Sequence, residues 1–372
     1  MSETDDVRYM SRALKLADKG RCSTDPNPRV GCVLVKDGRI VGEGWHHVAG
    51  GPHAEVFALR AAADEARGAT AYVTLEPCCH HGRTPPCSDA LIEGGVARVV
   101  VAAEDPDPRV SGRGIAALIE AGIEVRSGVL TAESEALNLG FVSRQRRGRP
   151  YVRCKMGMTL DGRIATASGE SQWITSEAAR RDVHRLRARS SAVMTGVGTV
   201  IVDNPSLTVR LPSEDAPDEL VEPWRIVLDS GLRFPESSTM LSLPGRTLIV
   251  HGREAVVPTY LQGREGVSLL SIPCVAGRID LHALMEALAG QAINEVLVEA
   301  GPVLSGALMN AGLVDELWLY MAPKLLGDQA RGLMSLPTIE RLDQALDLRI
   351  REIRAVGEDW RIVAVPVPTS SA

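Results

Sequence analysis

Apolar, β-rich runs alternate with Ala- and Leu-rich helical patterns along almost the whole chain. A chain built this way buries its strands by packing helices against the faces of mostly parallel sheets. The pattern predicts helices that include 7–19 and 177–189, and strands that include 70–75, 151–158 and 295–298. We therefore expect an α/β fold.

A charged segment near the middle of the chain interrupts this alternation. Residues 144–150 contain four arginines, a glycine and a proline, a composition typical of a solvated linker. A length of 372 residues suits two or three domains of about 100–200 residues each. We predict one domain over 1–147 and a second over 148–368, with a frayed tail at Pro366 and Pro368.

Charge and cysteine content limit the partners and the compartment. The net charge of −6 and an aromatic content of 3% argue against nucleic-acid binding. The longest uncharged stretch, 300–314, is shorter than the roughly 20 residues of a membrane helix, and residues 1–10 lack the apolar core of a signal peptide. Seven cysteines, an odd number, favour a metal site in a reducing compartment over a disulfide framework. We expect a cytoplasmic protein without a membrane partner.

Four side chains in the first half carry the chemistry of a metal site. His53 and Glu55 lie at the start of a predicted helix, Cys78 follows a predicted strand, and Cys87 stands nine positions after Cys78. One imidazole and two thiolates suit zinc and leave a fourth position for water, which implies a catalytic ion. Glu55 then lies beside the metal without binding it, as a proton shuttle requires.

Other ligand sets fit the same segment. Cys79, His80 or His81 could close the site as a fourth protein ligand, and Cys79 could replace Cys78. The pattern is similar to the His-x-Glu and Pro-Cys-x-x-Cys signature of zinc nucleobase deaminases. It differs in one respect, because eight residues instead of two separate the thiolates.

Further polar side chains surround the predicted metal ligands. Asn27, in a turn that leads into a predicted strand, could hold the substrate. Four side chains between the thiolates could donate hydrogen bonds to a phosphate or a sugar hydroxyl, namely His80, His81, Arg83 and Thr84. A solvated loop would have the same composition.

The second half lacks the Gly-x-Gly-x-x-Gly turn of a Rossmann fold, since Gly196 and Gly198 have no third glycine in register. A predicted strand ends near Glu299, and the segment 301–306 opens a helix. Backbone amides at such a helix start can hold a phosphate group. A glycine turn that serves only packing would have the same residues. The turn by itself therefore does not identify a cofactor.

Longer motifs in both halves resemble one enzyme family. They are 27–31, 53–55 and 76–87 in the first half, and 155–165, 171–175, 203–210 and 298–302 in the second. In this order, and over nearly all of the chain, they resemble the RibD family of bifunctional riboflavin-biosynthesis enzymes. The resemblance implies a cytidine-deaminase-like domain with a mixed sheet, followed by a dihydrofolate-reductase-like α/β domain.

The resemblance also implies the roles of individual residues. His53, Cys78 and Cys87 would hold Zn²⁺ and Glu55 would donate protons, whereas Cys79 would not be a ligand. The implied NADPH contacts are Gly157, Trp173, Thr199, Asp203, Ser230, Gly301, Pro302, Val303, Leu304, Ser305, Gly306 and Ala307. The implied substrate contacts are Lys155, Ser171, Arg187, Leu207, Arg210 and Glu299.

These roles suit an anionic small-molecule substrate. The guanidinium groups of Arg187 and Arg210 can each pair with a phosphate through two donors, and Lys155 and Asp203 could supply or withdraw protons. The implied reactions are deamination of 2,5-diamino-6-(5-phosphoribosylamino)pyrimidin-4(3H)-one and NADPH-dependent reduction of its ribosyl chain, giving 5-amino-6-(5-phosphoribitylamino)uracil. We also expect a homo-oligomer.

Two other functions fit parts of the sequence. A nucleobase or tRNA deaminase with an accessory dinucleotide-binding domain would share the metal ligands, but the net charge of −6 opposes it. A non-catalytic, zinc-stabilised binding module would share them too, but would have no use for Glu55.

Overall fold

The structure is a computed structural model that describes residues 2–80 and 85–367. The chain forms two compact units. The first comprises Met1–Arg149 and Pro217–Val221, and the second comprises Pro150–Ala216 and Glu222–Ala372. Among the described residues, no helix combines the length and the apolar character needed to cross a bilayer.

The first unit is built on a mixed sheet. Its strands are β1 (Gly31–Lys36), β2 (Arg39–Trp45), β3 (Thr70–Leu75), β4 (Arg98–Ala103) and β5 (Glu124–Ser127). Its helices are α1 (Glu3–Ala17), α2 (Ala54–Ala62), α3 (Cys87–Glu93), α4 (Arg113–Glu120), α5 (Thr131–Leu137) and α6 (Leu139–Arg147). The strand order is β2-β1-β3-β4-β5, with β1 antiparallel to both neighbours and β3, β4 and β5 mutually parallel.

Two glycines on β2 bring the helix that carries the predicted metal ligand against the sheet. A Cβ atom on Gly42 would come within 2.2 Å of the Ala58 carbonyl oxygen, and one on Gly44 within 2.4 Å of the Ala54 carbonyl oxygen. Because glycine has no Cβ, α2 can lie directly on β2. His53, the N-cap of α2, is thereby placed at one end of the sheet.

The second unit contains a larger and mostly parallel sheet. Its strands are β6 (Tyr151–Thr159), β7 (Arg163–Ala165), β8 (Ala192–Gly196), β9 (Trp224–Leu228), β10 (Thr247–Gly252), β11 (Val267–Ile272), β12 (Cys274–Val275), β13 (Arg278–Ile279), β14 (Glu295–Val298), β15 (Glu316–Ala322), β16 (Arg331–Gly332), β17 (Leu348–Val356) and β18 (Asp359–Pro366). Its helices are α7 (Glu177–Ala188), α8 (Val197–Asp203), α9 (Leu281–Gly290) and α10 (Pro302–Asn310).

The order of the main sheet is β11-β10-β9-β8-β14-β6-β15-β18-β17. All pairs from β11 to β15 are parallel, and β18 and β17 add antiparallel strands at one edge. Buried aliphatic side chains from the strands, α9 and α10 form the core on one face. The predicted α/β fold is therefore confirmed.

Two local predictions were wrong. The segment 144–150 is not a solvated linker over its whole length, because α6 runs to Arg147 and ends at Gly148, whose φ is +65°. Phe141 and Ser143 bury one side of this helix, so the arginines occupy its outer side. The tail is ordered further than expected as well, since β18 continues to Pro366; Pro368 lies outside the described residues.

Candidate functional site

Three predicted metal ligands converge in the first unit. His53 caps α2, Cys87 begins α3, and Cys78 lies in the loop after β3. Their ligand atoms all lie within 4.8 Å of one another, with His53 Nδ1 3.1 Å from Cys87 Sγ and 3.6 Å from Cys78 Sγ. Across 2–80 and 85–367, no fourth His, Cys, Asp or Glu joins this group.

The electrostatics of the group favour a thiolate. Hydrogen bonds with Cys87 and His53, together with the charge of His53, lower the pKa of the Cys78 thiol to about 4 against the opposing effect of burial. Thiolate is the form of cysteine that binds metals. One imidazole and two sulfur atoms are a donor set that zinc accepts, so the residues present fit this ion.

Glu55 lies in the first turn of α2, two residues after His53. Its side chain is 3% exposed, and its Oε2 atom has no hydrogen-bond partner among the described residues. Burial raises the pKa of this carboxyl group. A buried carboxyl with an uncommitted oxygen beside the ligand cluster is suited to proton transfer.

His46 supports the site and was missed by the sequence analysis. Its Nδ1 atom lies 3.0 Å from the Pro52 carbonyl oxygen, its Nε2 atom lies 3.0 Å from Asn27 Nδ2, and its ring meets the His53 ring edge-on at 5.2 Å. A neutral imidazole protonated at Nδ1 satisfies both hydrogen bonds. The structure thus gives Asn27 a protein partner next to the metal ligands.

Glu76 anchors the chain just before Cys78. Its carboxylate is 3% exposed and accepts four backbone N–H groups at 2.9–3.2 Å, from Asp105, Gly112, Gly114 and Ile115. These bonds tie the end of β3 to the loop after β4 and to the start of α4. Sequence reasoning noted Glu76 only as part of a motif, because its partners lie about 30 to 40 positions away.

The loop between the two thiolates is described only in part. Cys79 Sγ lies 3.8 Å from the Arg109 carbonyl oxygen and does not join the ligand group. His80 does not join it either. The predicted donors His81, Arg83 and Thr84 lie outside the described residues.

In the second unit, the predicted cofactor residues gather at the carboxyl ends of parallel strands. Val298 at the end of β14 pairs with Met194 on β8 and Cys154 on β6, so β8 and β6 continue past the end of β14 at the same edge of the sheet. Ligands of open α/β sheets bind at this edge, where the strand order reverses. The predicted contacts at this edge are Gly157 near the end of β6, Thr199 and Asp203 on α8, Ser230 after β9, and Gly301–Ala307 at the start of α10.

The predicted cofactor segment 301–307 includes both the start of α10 and residues buried within the unit. Gly301 is the N-cap and Pro302 the first helical residue, so the first amides of the helix are available to a phosphate. Ser305 and Gly306 are buried instead, and a Cβ atom on Gly306 would come within 2.1 Å of the Ser335 carbonyl oxygen. Gly306 is therefore required for packing.

A charged cluster lies at the end of β14. Arg187 Nε and Nη2 donate to the two carboxylate oxygens of Glu299 at 2.5 and 3.0 Å, and Nη1 donates to the Thr208 carbonyl oxygen at 2.9 Å. Lys155 Nζ lies 3.9 Å from Glu299 Oε2. Arg187 is thus ion-paired with Glu299 within the protein, and its two Nη groups each carry a second N–H for the predicted substrate contact.

Opposing effects set the charges of this cluster. Burial alone would raise the pKa of Glu299, but the charge and hydrogen bonds of Arg187, together with the charge of Lys155, lower it to about 2. Burial lowers the pKa of Lys155, and Glu299 opposes that shift. The cluster therefore combines a firmly ionised carboxylate with an ammonium group that releases its proton more readily than an exposed lysine.

Other predicted contacts differ in exposure. Trp173 is 64% exposed, and the guanidinium carbon of Arg180 lies 4.6 Å from the centre of its ring. Ser171 is half-buried and Arg210 is exposed. Leu207 is 3% exposed and packs in a core cluster.

Both halves of the chain match known protein families. The RibD C-terminal domain matches residues 150–362, and the cytidine and deoxycytidylate deaminase zinc-binding region matches residues 3–103. The riboflavin biosynthesis protein RibD of Escherichia coli is 54% identical over 361 residues, covering 95% of this chain and 97% of its own length. The Haemophilus influenzae protein of the same name is 46% identical, with 97% of each chain covered.

Solved structures agree in fold. Acinetobacter baumannii RibD superposes with a TM-score of 0.92 at 43% identity, covering 98% of this chain and 100% of that one. A Thermotoga maritima diaminohydroxyphosphoribosylaminopyrimidine deaminase/5-amino-6-(5-phosphoribosylamino)uracil reductase superposes with a TM-score of 0.84 at 33% identity, covering 98% of this chain and 99% of that one.

Proposed function

Because the chain belongs to the RibD family of riboflavin biosynthesis proteins, we propose which of its residues carry out each of two reactions. It is a bifunctional enzyme with a zinc-dependent deaminase domain and an NADPH-dependent reductase domain. The proposed substrate is 2,5-diamino-6-(5-phosphoribosylamino)pyrimidin-4(3H)-one. The final product would be 5-amino-6-(5-phosphoribitylamino)uracil. We assign deamination to 1–147 and reduction to 148–368.

One observation carries the deaminase assignment. Three ligand atoms, from His53, Cys78 and Cys87, lie within 4.8 Å of one another beside the buried Glu55 carboxyl. We assign the three residues as the zinc ligands. A bound zinc ion lowers the pKa of coordinated water toward neutrality and so supplies a nucleophile.

Glu55 is the proposed proton carrier. Hydrolytic deamination replaces an amino group of the ring by oxygen from water and releases ammonia, so a proton must move from the water to the ring nitrogen and the leaving group. The uncommitted Oε2 atom of Glu55 supports this role, because it can take up and return a proton without breaking a protein hydrogen bond. Burial of the carboxyl also excludes bulk water from the transfer.

The reductase site is assigned to the carboxyl edge of the large sheet. Conversion of the ribosyl group into a ribityl chain breaks the bond between C1 and the ring oxygen. It requires a hydride at C1, which NADPH would supply, and a proton on the released oxygen. We assign the proton to the Lys155 ammonium, which Glu299 holds at 3.9 Å. The first amides of α10 and the side chains of Trp173 and Ser230 would bind the cofactor.

Product analysis with and without NADPH tests both halves. The purified protein should contain one zinc ion per chain and should release ammonia from the diamino substrate without NADPH. Adding NADPH should consume one equivalent and convert the deaminated product into the ribityl compound. Zinc-loaded protein that releases no ammonia would refute the deaminase assignment, and failure to oxidise NADPH with the deaminated product would refute the reductase assignment.

We also propose that the enzyme is a homo-oligomer. The edge strand β17 and its neighbour β18 expose four large apolar side chains by 43–56%, namely Leu348, Ile350, Ile353 and Trp360. A second copy of the chain could cover them by pairing at this edge. Light scattering should then give at least twice the 39.8 kDa mass of one chain, and a single-chain mass would contradict the proposal.

A reducing, cytoplasmic location fits the chemistry. Cys78 and Cys87 form no disulfide, and their thiol groups must stay reduced to bind zinc. Fractionation of cells that produce the protein tests this location.

A further inference from the structure

One turn of α7 contacts the backbone of the segment 206–210 at two points. Arg187 Nη1 donates to the Thr208 carbonyl oxygen at 2.9 Å, and the Arg210 amide donates to His184 Nδ1 at 3.1 Å. His184 and Arg187 are three positions apart, so they lie on the same face of the helix. The helix thereby holds this segment at Thr208 and again at Arg210.

The contact with His184 depends on a neutral imidazole. Nδ1 can accept an N–H group only while it carries no proton. Burial, followed by the positive charges of Arg187 and Arg210, lowers the pKa of His184 to about 4. The imidazole is therefore neutral near pH 7 and available as an acceptor.

The segment ends in a guanidinium group suited to an anion. Arg210 is exposed, and its Nη1 atom donates to Ser206 Oγ at 2.5 Å. Glu299 balances the charge of Arg187 through two hydrogen bonds, which makes Arg210 the better phosphate partner of the two predicted arginines. In a chain with a net charge of −6, an anionic group needs such a local cation.

We propose that His184 is a positioning residue of the reductase, which holds Arg210 where its guanidinium meets the phosphate of the substrate. The inference rests on the proposed function, because it assumes that Arg210 binds the phosphoribosyl group. His184 itself touches neither substrate nor cofactor. It acts through the Arg210 backbone, so its loss should weaken recognition of the phosphate.

Steady-state kinetics of the full-length zinc enzyme with NADPH tests the proposal. The two substrates are 5-amino-6-(5-phosphoribosylamino)uracil and the same compound without its phosphate. Arg210→Ala should raise KM for the phosphorylated substrate about tenfold and leave KM for the other nearly unchanged. His184→Leu should do the same, with KM for NADPH and ammonia release by the deaminase site unchanged.

Two amide variants separate the acceptor role from a general loss of structure. The Oδ1 atom of His184→Asn can take the place of Nδ1, so this variant should keep KM within about twofold of the wild type. His184→Gln carries the same amide one bond further out and should be impaired like His184→Leu. This pair keeps the test decisive if the leucine variant fails to fold.

The remaining outcomes overturn the proposal in distinguishable ways. If Arg210→Ala changes nothing, the proposed phosphate role of Arg210 is wrong and the inference falls with it. If Arg210→Ala has its effect and His184→Leu does not, only the inference is wrong. Equal impairment of His184→Asn and His184→Gln, or a parallel loss of kcat and NADPH affinity, would show a structural role instead.

Discussion

Glu55 stands two residues after His53, so the start of α2 places a metal ligand and a carboxyl group in one small region. The imidazole of His53 faces the two sulfur atoms, whereas the carboxyl of Glu55 is buried with one oxygen uncommitted. The same short motif thus contains both the proposed zinc ligand and the proposed proton carrier. Any change that keeps the shape of residue 55 but removes its proton chemistry should separate these two functions.

Glu55→Gln is such a change. Glutamine keeps the size of the side chain but cannot carry protons at neutral pH, so ammonia release should fall by about 10²–10⁴-fold. Zinc content, measured by mass spectrometry, should stay at the wild-type level because residue 55 is not a ligand. Reduction of the deaminated substrate serves as the control and should be unchanged; full ammonia release by this variant would contradict the assigned role.

At the scale of elements, α4 and the segment that carries Cys78 are held together at very short range. A Cβ atom on Gly114 would come within 1.9 Å of the Pro77 carbonyl oxygen, which is backbone and has little room to move. The Glu76 carboxylate accepts N–H groups from the same stretch of α4. The position of the thiolate therefore depends on how closely this helix approaches.

Gly114→Ala should accordingly destabilise the first unit by about 3 kcal/mol. Because Pro77 is adjacent to Cys78, the variant should also release zinc to a chelator faster than the wild type. Urea unfolding and a chromogenic chelator measure the two effects. Gly290→Ala is a control on α9, since no described residue beyond its own helical turn comes within 4 Å of the Gly290 Cβ position; it should change stability by less than about 1 kcal/mol.

At the scale of the molecule, each unit fastens a helix to its sheet with a buried aspartate, a tyrosine hydroxyl and an arginine. In the first unit, Asp6 on α1 accepts from Tyr72 and Arg98 at 2.8–2.9 Å. In the second, Asp182 on α7 accepts from Tyr320 and Arg361 at 2.7 Å. Both networks join residues that are far apart in the sequence, so they form only when the unit has folded.

The network around Asp6 predicts a loss of stability in acid. Burial alone would raise the pKa of Asp6, but hydrogen bonds from Arg98 and Tyr72 and the charges of Arg98 and Arg126 lower it below its ordinary value. A folded pKa below the unfolded value of about 3.9 stabilises the protein above that pH, and the stabilisation is lost as pH falls through the folded pKa.

Urea unfolding of the wild type and of Asp6→Asn at a series of pH values measures this effect. Near pH 7 the variant should be less stable by about 3 kcal/mol, because it leaves two arginines without their buried anion. The difference should shrink below about pH 4, where Asp6 becomes protonated in the wild type as well. A difference that stays constant down to pH 2 would contradict the assignment.

Several strands and the ligand motif of this protein could be predicted from short stretches of sequence. The strands predicted at 70–75 and 295–298 have those bounds in the structure, because alternation and β-branched content are encoded within a few residues. The motif of proposed metal ligands could also be recognised locally, because zinc coordination constrains residue type and spacing directly. The strands β15 and β18 were overlooked, although Glu316–Ala322 is a largely apolar run of the kind that predicts a buried strand.

Only the tertiary structure shows the contacts between residues that are distant in the chain. Arg187 pairs with Glu299, 112 positions away, and Asn27 lies within hydrogen-bond distance of His46; neither contact could be inferred from the residue types alone. Arg144, Arg146 and Arg147 lie in a helix because Phe141 and Ser143, which precede them, are buried against the rest of the unit. Local patterns set which elements form, whereas burial and hydrogen-bond partners arise only when the sheets and helices pack.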